Sequence, residues 1–343
     1  MTQTAPSPPP ADATPAPSRR RRARVAGIVL LVVLLALLSA WTLTALAYQA
    51  PDGWRSLAMA GTVVAAVGLA VLALRRQALA WAGTAALVLA VGLWWGSIHP
   101  SDSRDWAPEV SRTVTGEVEG NQVILHNVRN FVWRSETDFS PRWETRLYQL
   151  DTLQSVDLFS SVWGNPAIAH TLIGFGFSTG QRVVFSVEIR RERTEAFSEV
   201  GGFFKEFELA LIAADENDIV RLRTDARGET VSLYPLKVTP DQARRLFLSY
   251  VALANDLAAH PAFYQTATSN CTTVIYDLAR LVEPGVPFDW RILLSGYLPD
   301  YLYDHALIPR DRPLDQVRRE AVIPPQRGAA APYSSAIRAH GAQ

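Results

Sequence analysis

Three long stretches without an ionisable side chain constrain this chain more than any other feature. Residues 25–46, 57–74 and 78–98 carry no Asp, Glu, Lys, Arg or His. Each approaches or exceeds the roughly 20 apolar residues that cross a bilayer core. Three buried core helices would be the other reading, but an uncharged helix that is apolar on every side fits lipid better than water. Arg19 to Arg22 and Arg24 precede the first stretch, and Arg75-Arg76 separate the second from the third. Basic loops stay cytoplasmic, so the chain is expected to enter, return and cross again, leaving residues 101–343 outside the cytoplasmic membrane. Trp41, Trp54, Trp94, Trp95 and Trp106 then fall at or near the outer interface, where indole rings settle. Ala45-Leu46-Ala47 resembles a signal-peptidase site, although the apolar run before it is longer than a usual leader core.

The charge balance sharpens this division. The whole chain has 33 basic and 33 acidic side chains. Residues 1–100 hold eight Arg against two Asp, a net of +6, and the remainder holds 25 basic against 31 acidic groups, a net of −6. A net-negative exported part argues against nucleic acid as a partner, because phosphate binding needs a basic face. One cysteine excludes an intramolecular disulfide and a Cys-based zinc cluster, and the scattered histidines offer no metal-ligand pair. No cofactor is expected. Residues 1–18 are rich in Pro, Ala, Ser and Thr and, with Arg19–Arg24, are expected to form a disordered basic cytoplasmic tail. Residues 25–98 are then the anchor, 99–310 the periplasmic domain, and 311–343, rich in Pro, Ala and Arg, a flexible tail.

The exported part reads as α+β. Residues 112–118 and 122–134 suggest two strands joined at Glu119-Gly120-Asn121, and residues 231–238 another. Residues 168–177 and 182–191 suggest a hairpin turning at Ser178-Thr179-Gly180. Thr239-Pro240-Asp241-Gln242 is a capping-box helix start, with Ala243, Leu246, Phe247, Tyr250, Val251, Ala254 and Leu257 at helical spacing. A second helix is expected to open at Ser269-Asn270-Cys271, with Val274, Ile275, Leu278 and Leu281 on its buried face.

That helix start carries the single thiol. Free N–H groups and the positive dipole end stabilise a thiolate there, and a thiolate is a nucleophile. A small buried Cys packing helix against sheet is the competing explanation for Cys271. Of six histidines, His99 lies at the membrane end, His340 in the tail, and His126, His260 and His305 in a strand, before a proline and after a Tyr-rich stretch. His170 interrupts an apolar strand, so either a structural hydrogen bond or a catalytic role must account for it. With a three-residue loop and Gly180 in the left-handed region, Phe177 faces Gln181 and His170 faces Glu188. A carboxylate there would fix the imidazole tautomer. A two-residue loop would place Ile189 opposite instead, and a solvated strand face also explains Glu188.

Five blocks together resemble one bacterial family: Asn127-Val128-Arg129-Asn130-Phe131, Pro141-Arg142-Trp143-Glu144-Thr145-Arg146, Ile168-Ala169-His170-Thr171-Leu172, Ser186-Val187-Glu188-Ile189-Arg190-Arg191 and Ser269-Asn270-Cys271-Thr272-Thr273. It is the domain named after the N-terminal periplasmic part of the lipoprotein N-acyltransferase Lnb. The resemblance spans about residues 115–310. In Lnb itself the domain precedes the membrane helices, whereas here it follows them. The resemblance implies a circularly permuted papain-like fold, of the NlpC and lecithin:retinol acyltransferase type, with an antiparallel sheet packed on helices. It also implies a multi-pass protein of the bacterial inner membrane with its C-terminal domain in the periplasm.

The same resemblance implies a chemistry. Cys271 would be the nucleophile, His170 its base and Glu188 the third member, with Asn270 and the Cys271 N–H as candidate oxyanion donors. The thiolate would take an acyl group from a membrane lipid or lipoprotein ester and pass it to an amine. Arg190 and Arg191 are candidates for binding a phosphate head group, or else solvated strand-end residues. Arg142, Trp143, Glu144 and Arg146 suit either a substrate wall or a structural ion-pair cluster. A cell-wall amidase or peptidase of the NlpC-like type, and a non-catalytic membrane module, are the competing functions.

Overall fold

The computed structural model describes residues 19–326 and 332–339. Two compact units divide at His99 and Pro100.

The first unit is three helices, α1 (Arg19–Gln49), α2 (Asp52–Arg75) and α3 (Gln77–Gly96). All three are long and apolar enough to cross a membrane. Leu31, Leu35, Ala73 and Ala80 form their small shared core. Leu57, Val64 and Leu93 point outward, 76%, 70% and 68% exposed, an arrangement that water penalises and hydrocarbon does not. The Arg24 guanidinium donates to the Leu74 carbonyl at 2.7 Å, which puts the two arginine groups at one end of the bundle. Residues 1–18 of the expected tail lie outside the described residues. Residues 19–24 are not tail but the opening turns of α1, because arginine is a good helix former and the apolar helix behind it is already nucleated.

The second unit is a sheet of eight strands with helices on both faces. Its strands are β1 (Thr115–Glu119), β2 (Gln122–Arg129), β5 (Trp143–Gln149), β6 (Leu153–Val162), β7 (Ala169–Phe177), β8 (Arg182–Arg190), β9 (Glu208–Ala214) and β10 (Thr230–Pro235). A separate short ribbon pairs β3 (Val132–Trp133) with β4 (Phe139–Ser140). The main order is β1-β2-β9-β8-β7-β6-β10, with β5 also on β2. The sheet is mixed rather than wholly antiparallel, since β2 meets β9 in parallel at Arg129 and Ala214.

Helix α5 (Pro240–Ala259) begins with the expected capping box, Thr239 accepting from the Gln242 N–H and Gln242 from the Thr239 N–H. Its Phe247 and Tyr250 pack on Phe175 and Phe185 of the central hairpin, with ring centroids 4.9–5.9 Å apart. Each such fully buried aromatic contributes about 1.5–3 kcal/mol of burial energy. Helix α6 (Cys271–Val282) joins the same face through Val274 and Leu278. Leu281 does not: it is 71% exposed, pointing off the helix face that meets the sheet.

The opposite face is covered by α4 (Glu216–Arg221) and by the C-terminal segment. Helices α8 (Leu314–Ala321) and α9 (Tyr333–Arg338) replace the expected loose tail, while α7 (Leu298–Asp304) lies before it and packs with α5 and α6. Tyr333 and Ile337 are buried beside Leu172, Val184 and Ile212, and Arg338 reaches both Glu216 and Asp157. A composition rich in Pro, Ala and Arg conceals these few anchors because they fall in short segments without periodicity. His340 lies outside the described residues.

Candidate active site

The thiol sits where a helix starts. Asn270 is the N-cap of α6, its side-chain oxygen accepting from the N–H groups of Thr272 and Thr273 at 2.9 and 3.0 Å, while Thr273 returns a bond to the Asn270 N–H at 2.8 Å. The Val274 N–H bonds to the Asn270 carbonyl. Of the first-turn donors that no helix can satisfy internally, the Cys271 N–H is the one these caps leave. The Asn270 amide nitrogen donates to the Thr266 carbonyl at 2.7 Å, so this side chain is anchored at both ends. Both ends of the side chain are thus committed to the mouth of the helix.

The hairpin brings the imidazole to the thiol. Gly180 has φ +86°, the left-handed conformation that glycine adopts freely, and Phe177 exchanges bonds with Gln181 and Gly180 across the turn. The resulting register pairs Gly174 with Val184 and Leu172 with Ser186. At that point the β7–β8 ladder stops, although β7 stays paired with β6 to Ala169 and β8 with β9 to Arg190. The two strands part at the site, and side chains bridge the gap. His170 Nε2 lies 3.2 Å from Glu188 Oε1 and 2.7 Å from Ser186 Oγ, which itself donates to Glu188 Oε1 at 2.6 Å. With Nε2 engaged there, Nδ1 is the nitrogen left to face Cys271, whose thiol feels the charge of the imidazole.

Charge in this cluster is strongly redistributed. Burial alone would push the His170 imidazolium down, but the Glu188 carboxylate outweighs it and lifts the group to about 9, with Arg223 opposing and Cys271 assisting. Burial also favours a neutral thiol, yet the hydrogen bond and charge of His170, aided by Thr171, bring Cys271 down to about 7. Burial resists ionisation of Glu188 too, and is overcome by the charges of His170 and Arg223 and by bonds from His170 and Ser186, which hold it well below the carboxylate range. Together these influences favour a thiolate facing an imidazolium.

Three residues around this network carry no clear signal in the sequence. Ser186 is one hydroxyl in a buried strand. Arg223 is 3% exposed and lies in a single π-helical turn, Leu222–Ala226, from which it donates to Glu188 Oε1 at 2.8 Å. Ser295 is a third: its hydroxyl donates to the Ala169 carbonyl at 2.6 Å and accepts from the Ala169 N–H at 2.8 Å, fixing the strand next to His170.

Arg190 is not available to a head group. It is 6% exposed, donates to the carbonyls of Val110 and Ser111, pairs with Asp102 and stacks 4.5 Å over Trp106. These interactions fasten the segment that leads into the sheet. Arg191 does line the cavity, held by Glu109 at 2.5 Å and the Glu195 carbonyl at 3.1 Å. Glu144 pairs with Arg142 at 2.8 Å and Arg146 at 2.7 Å, and Arg146 with Asp215 at 2.8 Å, an ion-pair cluster away from the cavity. His126, His260 and His305 interact with Glu117, Asp256 and Tyr301 and are also remote from it.

The cavity has a volume of about 450 Å³ and holds Cys271, His170 and Glu188 in its wall. Trp163, Ile168, Phe197, Leu293 and Leu294 also line it, each at least 37% exposed, so its mouth is apolar. Glu109, Glu136, Glu199, Glu229, Arg191 and Arg227 supply a charged wall. Such an arrangement can hold an acyl group against a nucleophilic sulfur.

No curated protein and no solved structure matches the chain. Residues 139–296 match the family described as the Lnb N-terminal periplasmic domain, a shorter span than residues 115–310 but one that includes all three clustered residues. Beside its three apolar helices, the chain therefore carries a domain that belongs to the Lnb N-terminal periplasmic family.

Proposed function

We propose that this protein is a multi-pass inner-membrane thiol acyltransferase whose periplasmic domain, permuted papain-like in fold, transfers acyl groups from lipid or lipoprotein esters. The observation that carries this reading is the convergence of Cys271, His170 and Glu188 at an apolar-mouthed cavity. The thiolate attacks the ester carbonyl and forms an S–C bond. The tetrahedral oxyanion collapses, the C–O bond breaks, and imidazolium passes its proton to the departing alkoxide. Neutral His170 then takes a proton from an incoming amine as nitrogen displaces sulfur and the C–S bond breaks, giving an amide and restoring the thiolate–imidazolium pair. Water in place of the amine would make the same site a hydrolase.

The carboxylates of the charged wall favour the second reading, an amidase or peptidase of the NlpC-like type, because Glu109, Glu136, Glu199 and Glu229 suit a polar peptide better than an acyl chain. One assay separates the two. Full-length protein in detergent is given a diacyl phospholipid, a peptide beginning with S-diacylglyceryl cysteine and a cell-wall peptide, and products are resolved by mass spectrometry. N-acyl peptide and lysophospholipid support transfer. Free fatty acid without N-acyl peptide indicates hydrolysis, and cleavage of cell-wall peptides with intact lipid supports the amidase.

A further inference from the structure

One oxygen in the cluster is contested. Glu188 Oε1 receives Ser186 Oγ at 2.6 Å, Arg223 Nη2 at 2.8 Å and His170 Nε2 at 3.2 Å. A carboxylate oxygen has two lone-pair directions, so three donors cannot all be served well, and the imidazole makes the longest approach. Arg223 is held to this task from behind. Its Nη1 donates to the Ile219 carbonyl at 2.8 Å, and it lies in the π-helical turn Leu222–Ala226 that ends α4. A π turn inside a helix costs regular hydrogen bonding and tends to survive where function needs it.

That turn is braced at both ends. On one side, Asp218 of α4 accepts from Arg129 at 2.9 and 3.0 Å, from the Phe131 N–H at 2.8 Å and from the Trp133 indole at 2.7 Å. On the other, the Tyr333 hydroxyl of α9 meets Thr224 Oγ1 at 3.1 Å, and the Gln326 N–H donates to Asp225 at 3.1 Å. Arg338 locks α9 itself onto Glu216 and Asp157. The C-terminal segment thus buttresses the arginine that competes with the imidazole.

We infer that Arg223 is a positioning residue that shares the Glu188 carboxylate with His170 and keeps the imidazolium ready to give up its proton, and that α9 holds it in place. This rests on His170 acting as the acid and base of the acyl transfer proposed above. A carboxylate given wholly to His170 would stabilise the imidazolium so firmly that it could neither protonate the alkoxide nor become the base for the amine. The opposing influence of Arg223 on His170 agrees with this. The other charged or titratable groups around the cluster are Cys271, Tyr250, Tyr264, Arg129, Arg227 and Glu229.

The test needs no substrate. Full-length wild type, Arg223→Gln, Arg223→Lys and Tyr333→Phe are alkylated with iodoacetamide in detergent from pH 5 to pH 10, and Cys271 modification is timed by mass spectrometry. Wild type is expected to show limbs near pH 7 and pH 9. In Arg223→Gln the imidazolium strengthens, so the acid limb moves down and the alkaline limb up, each by about one pH unit. Arg223→Lys, which keeps the charge but not the fork, moves both limbs outward by less. Tyr333→Phe, which loses a single hydroxyl, does the same. Limbs that coincide in folded Arg223→Lys and wild type, or that move inward, overturn the role of Arg223 even if Arg223→Gln fails to fold. An unshifted Tyr333→Phe overturns the bracing by α9. A wild-type thiol without an acid-shifted limb defeats the acyltransferase reading instead, and this inference with it.

Discussion

Glu188 Oε1 lies 3.2 Å from His170 Nε2 although the backbone ladder joining their strands ends two residues earlier, at Leu172 and Ser186. Side chains, not main chain, close the gap where the strands separate. This opening gives the imidazole space to face a thiol from another element while its far nitrogen stays anchored.

Removal of that anchor's charge is expected to act on the thiol two bonds of influence away. In Glu188→Gln the imidazolium loses its main stabiliser, so the His170 titration falls from about 9. With less positive charge beside it, Cys271 rises from about 7. The alkylation plateau narrows from both sides, and at neutral pH the rate falls about tenfold for each unit by which the thiol rises above the working pH. Iodoacetamide kinetics against pH measure both limbs.

Cys271→Ser is expected to remove all adduct formation while leaving the fold in place. The side chain is 8% exposed and its contacts with Ala169 O and Thr272 Oγ1 are long, at 4.0 and 3.8 Å, so a hydroxyl fits without a new clash. The melting temperature should move by only a few degrees, corresponding to about 1 kcal/mol or less. Differential scanning fluorimetry beside the adduct assay separates loss of chemistry from loss of fold.

Arg338 neutralises two carboxylates that are almost completely buried, Asp157 at 3% and Glu216 at 1% exposure. Arg338→Ala leaves both without that partner, and loss of one side of a buried pair costs about 3–5 kcal/mol. The deficit should shrink as pH falls, because burial already raises Asp157 and protonation removes the uncompensated charge. Urea unfolding of the variant and wild type at pH 7.5 and pH 5 checks the sign.

Gly296 packs its α-carbon against the chain before β7. A Cβ there would sit 1.9 Å from the Pro166 carbonyl oxygen and 2.8 Å from the Ala167 carbonyl carbon, both backbone atoms. Gly296→Ala must therefore push residues 295–297 off Ala167 and disturb the Ser295–Ala169 bonds that steady His170. A destabilisation of about 1–3 kcal/mol with slower Cys271 alkylation is expected. Thermal melts and alkylation rates on the same sample test the coupling.

Much of this arrangement is legible in local sequence. The capping box at Thr239, the cap at Asn270 and the three-residue turn ending in Gly180 are short-range signals with steric or hydrogen-bonding causes. That turn sets the register, and the register carries Glu188 to His170. What escapes is whatever depends on distant packing. β9, buried on both faces, has no alternation to announce it. Arg223 gains its meaning only when a π turn points it at β8, and Arg190 loses its apparent availability only when the segment before β1 folds over it. The C-terminal helices are too short and too polar to be recognised before Tyr333, Ile337 and Arg338 find the sheet.

The most direct test of the central claim is the intact mass of the full-length protein after incubation with a defined diacyl phospholipid. The account predicts a mass increase of one acyl group, confined to Cys271, released by neutral hydroxylamine as a thioester is, and missing in Cys271→Ser and His170→Ala. An unmodified Cys271 across lipid and lipoprotein donors, in protein whose thiol still alkylates readily at neutral pH, would contradict it.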